Sequence, residues 1–136
     1  MSLEIGTKDS IEYKVEEKDL AKNLGISADD NFPPVFATAR LTALMECSAA
    51  KAMKPLLGDG KLSVGVEVNL KHLAPTLTGD VVKSTATFVG MEGKLYKFEI
   101  EAERELAMYL LNQKRERLLE LETTYKVSIE IKIAKA

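Results

Sequence analysis

The sequence holds one cysteine, Cys47, and one histidine, His72, among its 136 residues. A lone thiol cannot close an intramolecular disulfide, so nothing points to an oxidising compartment. One thiol and one imidazole are too few for a tetrahedral zinc site, and no metal is expected. No stretch of about 18 consecutive apolar residues occurs, which excludes a membrane-spanning helix. The opening MSLEIGTKDS has neither the basic start nor the apolar run of a signal peptide, so a cytoplasmic location is the expectation. No P-loop and no G-x-G-x-x-G is present. There is no excess of positive charge: 19 lysines and arginines are balanced by 21 acidic residues, and the formal net charge of -2 argues against a nucleic-acid partner held through phosphates, although a local basic pocket for an anionic ligand stays open. What remains is 46% hydrophobic and 29% charged, enough apolar material for one core. The length fits one domain, or one domain with an appendage.

Hydrophobic spacing organises the chain. Ile11, Tyr13 and Val15 alternate with polar neighbours and predict a half-buried strand over residues 10–16. A short polar segment, EEKDLAKNL, is expected to be helical, and GISADDNFPP is a loop ended by two prolines. From Val35 to Leu57 the apolar positions Leu41, Leu44, Met45, Ala49, Ala52, Met53 and Leu56 recur at helical spacing. With so many alanines this reads as a buried helix, stopped by Gly58, Asp59 and Gly60. Three strands follow. In the first, Leu62, Val64, Val66, Val68 and Leu70 are expected to share the buried face. VVKSTATFV and LYKFEIEAE, joined by the turn GMEGK, complete the set, and the short connections predict antiparallel neighbours. A second helix is expected over Glu105–Thr123, then a last strand, VSIEIKI. The sum is an α+β protein with the long helix against one face of an antiparallel sheet.

Several residues stand out. Glu46 lies at the margin of the helix's apolar arc, away from Arg40, Lys51 and Lys54. Partial desolvation there would suit general-base work; a surface glutamate, or one held by a core hydrogen bond, accounts for the pattern as well. His72 shares the parity of Leu70, so a strand that persists that far points the imidazole at the helix. Thr42 and Thr38, one and two turns before Glu46, offer hydroxyls for positioning a ligand or for attack, against the commoner habit of bonding back to a carbonyl. Gly65 interrupts a β-branched strand and marks either a bulge or a close approach. Cys47 falls on the basic side of the helix and is an unlikely nucleophile.

The stretches FPPVFATARLTALMECSAAKAMKPLL, SVGVEVNLKHLAPTLTGD and FVGMEGKLYKFEIEA together resemble the fluoroacetyl-CoA thioesterase-like group of hotdog proteins, over about residues 10–103. The resemblance implies a long central helix wrapped by a curved antiparallel sheet, a homodimer with active sites at the subunit interface, and hydrolysis of a short acyl-CoA. It implies catalytic roles for Thr38, Glu46 and His72, a carbonyl-polarising amide at Gly65, and substrate contacts from Phe36 and Thr42. Leu41, Leu44 and Met45 join Phe36 as candidates to line the acyl pocket. No cofactor is implied beyond the coenzyme A carried by the substrate. The final family strand, with its G-T-H-x-R-like run, is absent. ELAMYLLNQKRERLLELETTYKVSIEI instead weakly resembles a segment of the ribonuclease E/G family's small C-terminal region, without its nuclease residues. A natural or engineered chimera, or a reading-frame or design product, would account for this.

The sequence thus divides into a core at 1–103 and a helix–strand unit at 104–136 that completes the same sheet, parallel to its predecessor if a helix spans the sheet and antiparallel if a hairpin does. With the family's last strand missing, activity is expected to be impaired, and the alternative is a hotdog domain that binds acyl-CoA without turning it over. The patch Lys114, Arg115 and Arg117, interspersed with Glu116, Glu120 and Glu122, reads as a solvated helix face rather than an RNA site.

Overall fold

The computed structural model describes residues 3–105 and 121–135, with Glu105 and 121–135 described by their backbone. Strand β1 is Lys8–Lys14, helix α1 Thr38–Met53, β2 Lys61–Leu70, β3 Val81–Glu92, β4 Leu95–Glu105 and β5 Leu121–Lys135. The five strands form one antiparallel sheet in the order β1-β3-β4-β5-β2.

Helix α1 packs on one face of this sheet. Its buried side carries Leu41, Leu44, Met45, Ala49, Ala52 and Met53, the residues that the helical spacing selects. Facing them, β3 and β4 contribute Val82, Ala86, Phe88, Phe98, Ile100 and Ala102. Phe88 and Phe98 meet at 5.5 Å between ring centroids. A buried side chain of this size stabilises the fold by about 1.5–3 kcal/mol. Ser48 and Ser84 cross this core, their hydroxyls 2.9 Å apart, so the two buried polar groups satisfy each other. The helix ends sooner than its apolar spacing predicts, because Pro55 has no N–H to donate; residues Lys54–Leu56 form a single 3-10 turn instead.

Four expectations need correction. EEKDLAKNL is not one helix but two 3-10 turns, Glu17–Asp19 and Ala21–Asn23. The strand after α1 is not a neighbour of the next one: β2 crosses to the far edge and, among the described residues, pairs with β5 alone. The ten residues between Leu70 and Val81 are long enough for that crossing, so the short-connection rule loses its force. Most of the helix expected at Glu105–Thr123 lies outside the described residues, and its two ends are strand, with Glu105 closing β4 and Leu121 opening β5. The last strand does take a place in the sheet, antiparallel to β4 and β2.

The fourth correction concerns the faces of β2. Its apolar residues do not share one buried side: Leu62 is 60% exposed and Val64 48%. The register explains why. Gly65 pairs with Ile131 and Glu67 with Glu130, leaving Val66 as an extra residue in a bulge. One extra residue reverses the alternation. Before the bulge Leu62 and Val64 face away from α1; after it Leu70 packs on the core.

Candidate active site

His72 lies two residues beyond Leu70, past the end of β2 and on the loop that leads to β3, so its position is set by that loop rather than by strand parity. The imidazole is half-buried, and its Nδ1 stands 2.7 Å from the hydroxyl of Thr38. Thr38 is the first residue of α1, so its side chain sits at the helix mouth, free of the i−4 carbonyl that occupies threonines further along. Burial lowers the pKa of His72 below its ordinary value, against an opposing hydrogen bond with the Ala74 backbone. The ring is therefore neutral at pH 7, and in the tautomer protonated at Nε2 its Nδ1 accepts the Thr38 O–H. A base-activated hydroxyl needs this geometry.

The pair opens onto a cleft of about 330 Å³ walled by Pro33, Val35, Phe36, Leu73 and Pro75. Thr38 and His72 are the polar side chains that line it among the described residues. Phe36 serves the cleft and the core together: it is 1% exposed and stacks on Tyr13 at 6.5 Å. Leu41, Leu44 and Met45 lie in the core rather than along this cleft. The loop bearing His72 is pinned to the segment before α1, since Phe36 N–H donates to Thr76 O at 2.7 Å.

Glu46 belongs to a second grouping. Its half-buried side chain lies over Gly65, so closely that a Cβ at position 65 would overlap Oε1 and sit 2.9 Å from Cδ. Gly65 is therefore both of the things its sequence suggests: it borders a bulge, and it lets the carboxylate reach the strand backbone. Space rather than an unusual backbone conformation demands the glycine. Thr42 donates its hydroxyl to Thr38 O at 2.8 Å, the backward bond typical of helical threonines, and does not line the cleft.

The chain thus brings Thr38 to His72 and Glu46 to Gly65 as two separate pairs. Eight helical residues separate Thr38 from Glu46, a rise of about 12 Å.

Reading the sequence alone missed a third grouping behind the cleft. Asp19 is completely buried and accepts hydrogen bonds from the Tyr13 hydroxyl at 2.6 Å, the Glu16 N–H at 2.8 Å and Arg40 Nε at 2.9 Å. Burial pushes the Asp19 pKa up, but these three donors outweigh it and hold the carboxyl below the usual range. Tyr13 is pushed up to about 12, by burial first and then by its bond to Asp19. The spacing Glu16-x-x-Asp19, a capping box, is the signal that could have found it.

The family model for the fluoroacetyl-CoA-specific thioesterase matches residues 15–108, more than half of the chain. The chain belongs to that family. The fluoroacetyl-CoA thioesterase of Streptantibioticus cattleyicolor is 37% identical over 71 residues, which are 52% of this chain and 51% of the relative. The match thus spans about half the length of that curated protein. A variant of the fluoroacetyl-CoA-specific thioesterase solved with fluoroacetate and CoA superposes with a TM-score of 0.79 at 22% identity, over 97% of this chain and 95% of that one. A thioesterase-superfamily protein of Thermus thermophilus gives 0.78 at 22%, over 98% and 85%. A hot-dog-like protein of Thermanaerovibrio acidaminovorans gives 0.71 at 21%, over 97% and 84%. The fold is the hotdog fold. A model of an RNase E/G thioredoxin-like domain also matches residues 85–136, in accord with the mixed character of the C-terminal part.

Proposed function

We propose that this family member hydrolyses a short acyl-CoA thioester at sites shared between two copies of the chain, with no cofactor beyond the coenzyme A of the substrate. The observation that carries the reading is the 2.7 Å contact between Thr38 and His72 at the mouth of an apolar cleft. His72 takes the Thr38 proton as the threonine oxygen bonds to the thioester carbonyl carbon, and it returns the proton to the sulfur as the C–S bond breaks. CoA leaves with its thiol, and the acyl group remains on Thr38. Water then attacks that ester, Glu46 accepting its proton and passing it on to the Thr38 oxygen as its bond to the acyl carbon breaks, and the free acid departs. The Gly65 N–H stabilises the charge that develops on the carbonyl oxygen; one such donor is worth about 3 kcal/mol of barrier.

The second copy follows from the separation of the two pairs. Among the described residues strand β2 is an edge, with one side of its backbone unpaired in the sheet, and it exposes Leu62, Val64 and Val66. A two-fold axis beside that edge would run the two helices in opposite directions and set Thr38 and His72 of one protomer against Glu46 and Gly65 of the other. The rest of the outer face does not suit apolar contact: Lys83 lies opposite Glu103, and Glu99 and Glu101 follow on β4.

Complementation tests both halves at once. Glu46→Gln and His72→Ala should each depress release of thiol from acetyl-CoA or fluoroacetyl-CoA at least a hundredfold while leaving the dimer folded. Refolding the two dead variants together should then recover up to about a quarter of the parent rate, since half the dimers are mixed and each carries one intact site. Parent rates in both single variants would remove the roles, no recovery on mixing would confine the site to one chain, and binding without thiol release would make the protein an acyl-CoA binder.

A further inference from the structure

Helix α1 begins without a conventional cap. The residue before it is Ala37, which has no side chain to take an N–H of the first turn, and no side-chain cap bond is present there. Yet Thr38, the first residue of that turn, must hold its hydroxyl against His72. Something else has to fix the start of the helix.

Asp19 is in position to do so. Its carbonyl accepts the Ala37 N–H at 2.9 Å, immediately before Thr38, and its carboxylate holds Arg40 at 2.9 Å, two residues after it. Both grips come from a single residue on a neighbouring segment. That segment is fastened in turn: Leu20 bridges to Phe36, and Ala21 N–H donates to Val35 O at 2.7 Å. Tyr13, whose hydroxyl donates to Asp19, stacks on Phe36 and so ties β1 to the same turn. Burying a carboxylate is costly unless its lone pairs are met, and replacing the group with apolar packing would serve stability as well. A position that carries the charge nonetheless, with three donors arranged around it, has the form of a geometric clamp rather than of a stabilising contact.

We propose that Asp19 and Arg40 are positioning residues for the reaction, clamping the first turn of α1 so that the Thr38 hydroxyl stays aligned with His72. The assignment rests on the reading of Thr38 and His72 as the reacting pair, but the alignment itself can be observed without turnover. His72 is the only histidine, so protein labelled with 15N-histidine gives one imidazole, whose signals report its tautomer and its bond to Thr38.

The variants are Arg40→Gln, Asp19→Asn, Arg40→Lys and, as the reference for a lost contact, Thr38→Val. Arg40→Gln and Asp19→Asn should move the imidazole signals towards those of Thr38→Val, and Arg40→Lys should return part of the way. In the acetyl-CoA assay, kcat should fall about tenfold or more in the first two, because small misplacements of a reacting group are costly. KM should stay within about threefold, the split expected when alignment rather than binding is lost. Should Asp19→Asn fail to fold, Arg40→Gln decides, since the arginine is half-exposed and its replacement leaves no hole. Imidazole signals unchanged in Arg40→Gln, with Thr38→Val clearly displaced, would overturn the clamp. If the parent protein releases no thiol at all, the functional reading fails while the imidazole spectra still decide this one.

Discussion

Thr38 and His72 are a matched pair only while the imidazole is neutral, and its surroundings keep it so. Burial holds the pKa of His72 below the ordinary value of 6.5, so the folded state gives up this proton more readily than the unfolded chain. The unfolded chain therefore binds more protons as the pH drops through about 6.5, and the contribution of His72 to stability is present above that value and lost on acidification. Thiol release should follow the same group, rising from acid pH to a plateau with its midpoint below 6.5. Titrating the single imidazole by 15N-histidine NMR in the parent protein should give the same midpoint, and a clear mismatch between the two would assign the rate profile to another group. Gly65 offers a second test at this scale. Its Cα lies beneath the Glu46 carboxyl, so Gly65→Ala forces that side chain away. A loss of about 1–3 kcal/mol is expected on thermal or urea unfolding, the usual cost of inserting a methyl into filled space. Glu46→Ala in the same chain should recover most of it, which separates this clash from a general weakness of the strand.

Among the elements, α1 was the most legible from sequence, because a sixteen-residue helix repeats its spacing often enough to define a face. Strand β2 was the least. Alternation from Leu62 to Leu70 is unbroken in the sequence, yet the backbone inserts Val66 as an extra residue and turns the two halves of the strand to opposite faces. A bulge changes one residue's pairing and leaves no trace in composition beyond a neighbouring glycine. The strand stops at Leu70, short of what the parity argument for His72 requires, although the loop beyond still brings His72 to Thr38; Leu62 and Val64, judged by the same parity, face outward. The segment holding Asp19 was hidden for another reason: Arg40 lies twenty-one residues away in sequence, Tyr13 sits on a separate strand, and a polar stretch of this kind looks much the same whether it is solvated or clamped. Deleting Val66 would bring Gly65 next to Glu67 opposite the adjacent partners Ile131 and Glu130, so every other pair with β5 and both faces of the strand should survive. The expected result is a folded protein that releases thiol within a few-fold of the parent rate, read by circular dichroism and the acetyl-CoA assay together. Loss of thiol release in a folded deletion variant would show that the bend of the bulge itself holds Gly65 beneath Glu46.

At the scale of the molecule, the sheet order decides how the parts depend on one another. Pairing of β1, β3 and β4 is complete within the first 105 residues, and the core between α1 and those strands needs nothing further. Strand β2 is different, since its one neighbour in the sheet is β5. A chain ending at residue 120 should keep helical signal and the Phe88–Phe98 contact but leave β2 without a partner, with a lower unfolding midpoint and no thiol release. Equal activity in that shortened chain would show that β2 is held by other means. The dependence has a temporal side as well. During synthesis the strand that presents Gly65 and leads to His72 emerges first and then waits, since the segment that fastens it, Leu121–Lys135, is made well after it. A chain interrupted before that point is thus left without its chemistry, and readiness to act waits on the arrival of β5.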